Sequence, residues 1–205
     1  MTETSDEQIN VDLVAIATRI RNEVQIALLN WATVEAFNSS SESIEANLKR
    51  HGGWEPAKFL VKALVRDVLM TLMRVTDDPD ADRQTLLMFR KRWENANVGT
   101  LPCDIADHQQ KVFENVPLAW KNSTETELSK LRGSFRNVRH NLIAHALDFS
   151  ELDLPDLIPK IRPFLNLVAE LVYHAAAMVG IADDDLEDRR KFGLSEAQRF
   201  WKHIA

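Results

Sequence analysis

The sequence predicts an all-α fold. Glycine is scarce, with six in 205 residues, and tyrosine occurs once. No stretch sustains the apolar/polar alternation of a strand, whereas steps of three and four between apolar residues recur in almost every long segment. Apolar residues make up 45% and charged residues 27% of the chain, which suits a chain able to bury a core.

The first helix is expected from about Asp6, where Ile9, Leu13, Ile16, Ile20, Val24, Leu28 and Trp31 recur at helical spacing. Ser39-Ser40-Ser41 interrupts it, and Gly52-Gly53 ends a short second piece. Pro56 suits a first helical turn and is expected to open the next helix. That helix carries a stripe of Val61, Val65, Val68, Leu72 and Val75, with Leu60, Leu64 and Leu69 beside it. Apolar side chains cover most of its circumference, so a central position is expected. Asp77-Asp78-Pro79 stops it.

A further helix is expected over 82–95, then a loop over 98–103 and a helix reaching about Trp120. Thr124 and Glu127 carry a capping-box pattern ahead of a helix that runs to about Asp148. Pro155, Pro159 and Pro163 are expected to mark a loop and the start of a helix ending at Gly180. The acidic run 183–190 reads as a solvated linker, and Ser195 and Gln198 as caps of a short final helix holding Phe200 and Trp201. The domain organisation expected is one helical domain over 1–181, followed by an acidic linker and C-terminal helix over 182–205.

Composition excludes several classes. The net charge of −6 argues against a uniformly basic nucleic-acid coating protein but permits a local basic patch. One cysteine, Cys103, makes no internal disulfide and supports neither a cysteine-based zinc finger nor an iron–sulfur cluster. The polar, acidic start does not resemble a signal peptide. The most apolar run, 165–181, is broken by Asn166, Glu170 and His174, so no membrane span is expected. A cytoplasmic protein is expected. No glycine-rich phosphate loop is present.

The informative segment is LRGSFRNVRHNLIAHALDF, residues 131–149. Leu128, Leu131, Phe135, Val138 and Leu142 step by three and four, and the same steps reach His145. Arg132, Arg136 and Arg139 form a second stripe beside the first. No acidic residue falls between Lys130 and His145, so the local charge opposes that of the whole chain and suits a phosphate. Arg139 and His145 are separated by about 9 Å of rise and about 120° of rotation in an unbroken helix. They converge on one ligand only if the helix bends or ends, or if a second chain contributes. Asn141 and His145 share a face. A histidine on an apolar face is most often a packed core residue, and flank arginines are most often solvated. Here Arg139, His140, Asn141 and His145 crowd one apolar seam, which is costly unless they are paired or functional.

These residues resemble the signature of the HEPN superfamily. In that family an Arg, followed directly by a polar Asn, Asp or His, is separated from a His by four to six residues. Arg139-His140 and His145, with five residues between Arg and His, fit it. FLVKALVRDVLMTLMRVTDDP (59–79) also looks like the abortive-infection branch, where such a helix ends in Thr-Asp and the Arg…His helix follows some sixty residues later. The resemblance covers about residues 5–180. It implies an up-and-down helical bundle with additional helices, acting as a homodimer in which the two motifs meet across the twofold axis. It implies a metal-independent endoribonuclease of toxin or phage-defence type, with Arg139 and His145 catalytic. His140, Asn141, Arg136 and Arg132 would support the site or bind RNA. No cofactor and no metal is implied; an antitoxin or regulatory partner is. The alternative is a non-catalytic HEPN module that binds RNA or a partner protein. A third reading is a helical scaffold in which Arg139 and His145 only stabilise a dimer.

Other candidates carry less. DDPDAD (77–82) suggests a calcium loop, but counting from Asp78 puts Arg83 and Phe89 where such a loop needs Gly and Glu, so it reads as an acidic turn with helix caps. Arg66-Asp67 inside an apolar helix reads as a buried or partner-facing ion pair, or as support around the site. His51, His108, His174 and His203 show no metal-ligand spacing, and the five tryptophans are too dispersed in sequence to form a stacking platform. The final helix could dock a partner through Phe200 and Trp201 or close the chain's own core.

Overall fold

The computed structural model describes residues 6–39, 41–77, 84–95, 128, 130–135, 154–181 and 186–204. All regular structure among them is helical. The elements are α1 (Asp6–Ser39), α2 (Ser41–Arg50), α3 (Trp54–Val75), α4 (Leu86–Asn95), α5 (130–135), α6 (Leu154–Met178) and α7 (Leu186–Ile204).

The predicted stripe of α1 is the spine of the core. Leu13, Ile16, Ile20, Val24, Leu28 and Trp31 are all buried. Helix α1 packs against α3, α4, α6 and α7, so it, rather than α3, is central. On α3 the valine stripe and Leu72 are buried as expected, but Phe59 and Leu60 face solvent near its start. The α3 helix begins at Trp54, two residues before Pro56, with the Ala57 N–H bonded to the Gly53 carbonyl.

The starts of α4 and α6 also differ from the sequence expectation. Helix α4 starts at Leu86, because the Thr85 hydroxyl, itself buried, accepts the Met88 N–H at 3.1 Å and caps the helix there. Helix α6 starts at Leu154 and contains Pro159 and Pro163 rather than beginning after them. These prolines are four apart and both exposed, so the helix carries them on its outer face. The end of α6 behaves as predicted: Gly180 adopts a φ of 74°, and the Ile181 N–H returns to the Ala176 carbonyl at 3.0 Å.

The largest difference lies at the C-terminus. Residues 186–190, expected in a solvated linker, are the first turns of α7, and the helix does not wait for Ser195. Gly193, Ala197 and Trp201 form its buried seam. A Cβ built on Gly193 would lie 2.6 Å from Leu29 Cδ2, so the missing side chain lets α7 approach α1 closely. Trp201 is 2% exposed, its indole N–H donates to the Thr33 carbonyl at 3.0 Å, and its ring lies 4.8 Å from that of Phe37. The final helix thus closes the chain's own core through Trp201, while Phe200 is exposed.

Two networks tie the helices together at their rims. Glu35 on α1 accepts the Trp31 indole N–H at 2.7 Å and pairs with Arg162 of α6 at 2.6 Å and Arg190 of α7 at 3.7 Å. On the α1–α3 seam, Arg74 pairs with Glu23 at 2.9 Å, and Asn30 donates to Asp67 at 2.7 Å. Asp67 is exposed and takes its partner from α1, so no buried Arg66–Asp67 pair forms. Adjacent helical residues point about 100° apart. An ion pair from Arg92 to Asp12 links α4 to α1.

Candidate functional site

The basic, histidine-bearing segment begins where three elements converge: the end of α3, helix α5 and helix α6. Helix α3 stops at Thr76-Asp77. The Thr76 hydroxyl is fully buried and donates to the Leu72 carbonyl at 2.7 Å, closing the last turn. Asp77 follows it and is only 8% exposed. A carboxylate so placed needs a cationic or hydrogen-bonding partner.

Arg132 of α5 supplies one. Its Nη2 lies 3.7 Å from Asp77 Oδ1, an ion-pair distance rather than a hydrogen bond. The adjacent face of the same turn is apolar. Leu128 and Phe135 are buried, Leu131 packs against the core, and the Phe135 ring stacks on Phe164 of α6 at 5.6 Å and 9°. The stripe read from the sequence therefore faces inward at its first three positions. Arg132 on one flank and Phe135 on the seam fix the rotation of α5 between α3 and α6. Lys130 is exposed on the outer side.

Of the residues singled out in the sequence, Arg132 is thus brought to a buried carboxylate. Arg136, Arg139, His140, Asn141 and His145 lie outside the described residues, as do Cys103, His108, Trp120 and the Thr124–Glu127 cap. The partner of Arg132 escaped the sequence reading, which took Asp77 for part of an acidic turn. The available signal was an Asp directly after the last apolar turn of α3.

The remaining described histidines lie apart from this junction. His51 and His203 are exposed. His174 of α6 is half-buried and its Nδ1 has no hydrogen-bond partner; burial pushes its pKa below the ordinary 6.5, and the charge of Glu170 one turn earlier opposes that shift. Among the described residues no three His, Cys, Asp or Glu side chains cluster as a metal site would require. Among them, too, no helix is long and apolar enough to cross a membrane.

Chemically, the junction is helix α5 held by one partly buried ion pair and one ring stack, preceding in sequence three further positive or imidazole groups by residue 140. No protein-family model, no curated protein and no solved structure matches the chain.

Proposed function

We propose that the protein is a metal-independent endoribonuclease of the toxin or phage-defence type, a HEPN-like protein acting as a homodimer. The observation that carries this reading is the run Arg139-His140-Asn141…His145, set on the continuation of an apolar helical stripe in an all-helical chain. Counting on from the buried Phe135 by threes and fours reaches His145. The ion pair from Arg132 to Asp77 adds support, since it couples the Thr-Asp end of α3 to helix α5, which precedes the signature in the sequence.

The chemistry follows from the residue types. Imidazole is the side chain most often used as a general base, and His145 takes the proton of an RNA 2′-hydroxyl. The freed oxygen attacks the adjacent phosphorus and the bond to the 5′-oxygen breaks. The products are a 2′,3′-cyclic phosphate and a 5′-hydroxyl end that has gained a proton. Arg139 is charged at any working pH, and its forked guanidinium stabilises the negative charge growing on the phosphoryl oxygens. Asn141 and His140 orient the phosphate or the imidazole. A twofold axis through this segment brings a second set of the same groups to the site, the usual form of a self-complementary dimer.

The test is cleavage of RNA by the wild type and by His145→Ala at matched fold and mass. Activity that persists in His145→Ala contradicts the assignment. A wild type that binds RNA and leaves it intact favours the non-catalytic HEPN module instead.

A further inference from the structure

Among the described residues, every large apolar side chain left in solvent belongs to α1, α3 or α7, and none to α2, α4 or α6. Five of them gather on one side of the bundle. The Asn30–Asp67 and Glu23–Arg74 pairs mark the edge of α1 that faces α3. Leu29 and Ala32, 2.6 Å and 3.6 Å from a Cβ built on Gly193, mark the edge that faces α7. Ile26 points between the two edges, away from Glu35 and the side of α1 that meets α6. On α7, Arg190 reaches Glu35 and Leu194 packs against the core, so that flank is turned inward. Phe192 and Phe200, about 12 Å apart along the helix, stand on the opposite flank, and the intervening Gly193 seats it on Leu29. Leu60 lies two turns before Asp67 and therefore on the same α1-facing edge of α3.

Two properties of this face decide what covers it. The first is area. Ile26, Leu29, Leu60, Phe192 and Phe200 are between 38% and 66% exposed. A side chain of this size presents about 200 Å² when fully exposed, so together they show about 500 Å² of apolar surface. The largest patch on an ordinary monomer is about 300–600 Å² and is often functional. Against a copy of itself the face would remove about 1,000 Å² of apolar surface from water. Interfaces are about 60% apolar, so the whole contact would bury about 1,700 Å². Stable pairs bury about 1,200–2,000 Å². The second property is charge. Glu23 is held by Arg19 and Arg74, Asp67 by Asn30 and Glu196 by Arg199, all within the chain. The carboxylates at the rim thus have partners before anything docks, and an identical face can approach without an unpaired charge meeting its like.

We propose that this face of α1, α3 and α7 joins two copies of the chain about a twofold axis. A twofold contact sets the same surface against itself, which suits an apolar centre with a rim of satisfied charges. A polyanion would instead ask for a cationic stripe, and Glu23, Asp67 and Glu196 interrupt one here. The face uses none of the residues assigned to RNA cleavage. It goes beyond the dimer proposed above, because two unlike twofold contacts on one chain build a tetramer, whereas this one alone builds a dimer. In both cases its loss halves the native mass.

The experiment is sedimentation equilibrium of the full chain at micromolar concentration. Phe192→Glu and Ile26→Glu place a charge on the face from two different helices. Both residues are exposed, so unchanged circular dichroism is the folding control. Each variant should halve the native mass and raise the dissociation constant at least about thirtyfold. Lys160→Glu, an exposed charge reversal on α6, should leave the mass unchanged. A monomeric wild type, or a face variant that keeps the wild-type mass, overturns the proposal. So does an equal loss of mass in Lys160→Glu, which would trace the effect to net charge. A wild type that leaves RNA intact yet halves its mass in the face variants upholds this interface and sinks the ribonuclease reading alone. Cleavage by a wild type whose mass the face variants do not change sinks this interface alone.

Discussion

Replacing Trp201 with alanine tests whether α7 belongs to the bundle core. The side chain is 2% exposed, so nearly all of its surface is removed from water on folding. About 200 Å² of aromatic surface at about 25 cal/mol per Å² gives about 5 kcal/mol. Trp→Ala substitutions in cores cost about 3–5 kcal/mol, including the cavity left behind. Both estimates agree. For a chain of this size they translate to a fall in Tm of about 6–20 °C. Trp201→Phe keeps the contact with Phe37 but loses the N–H bond to the Thr33 carbonyl, and should cost only about 1–2 kcal/mol. The assay is urea unfolding followed by far-UV circular dichroism, with tryptophan-independent detection. A loss below about 1 kcal/mol for Trp201→Ala would refute the reasoning, because a docked α7 cannot shed a buried indole so lightly.

Two further predictions concern the described residues. The neutral form of His174 is favoured in the folded chain, because burial lowers its pKa from 6.5. Its contribution to stability is therefore complete above pH 6.5 and is lost as pH falls through the lowered folded value. His174→Gln should flatten the difference in Tm between pH 8 and pH 5.5; an unchanged difference contradicts it. The Asp77–Arg132 pair predicts non-additivity: in a double-mutant cycle with Asp77→Ala and Arg132→Ala, a coupling of at least about 0.5 kcal/mol is expected, and strict additivity would dissolve the pair.

Much of this architecture was legible in the sequence, and what was not has identifiable causes. The stripes of α1 and α3 were readable because a buried helix face leaves its period in the residue types. The Ser39–Ser41 break and the Gly180 stop were readable because capping chemistry is local. Helix α6 was misjudged because proline reads as a helix breaker by residue type, whereas its place on the outer face of a well-packed helix is set by the neighbouring helices and is not a local property. Helix α7 was shortened for two reasons. Its acidic start has no apolar period, and Gly193 reads as a breaker until Leu29 is seen against it. The centrality of α3 was overestimated because Phe59 and Leu60 are apolar but exposed, a distinction that only the neighbouring helices decide.

The candidate site divides in the same way. Leu128, Leu131 and Phe135 were placed on the inner face by their spacing alone. The partner of Arg132 was invisible, because Asp77 stands 55 positions earlier and a pair across that distance leaves no pattern in one sequence. The meeting of Trp54 and Trp201 at Phe37 was hidden for the same reason.

The central claim is tested most directly by the ends of the cleaved RNA. Wild type, Arg139→Ala and His145→Ala are each incubated with labelled total RNA in EDTA, and the products are analysed for terminal chemistry. The account predicts fragments ending in 2′,3′-cyclic phosphate and beginning with 5′-hydroxyl from the wild type, and intact RNA from both variants. Fragments of the same kind from His145→Ala, or 3′-hydroxyl ends from the wild type, would contradict it.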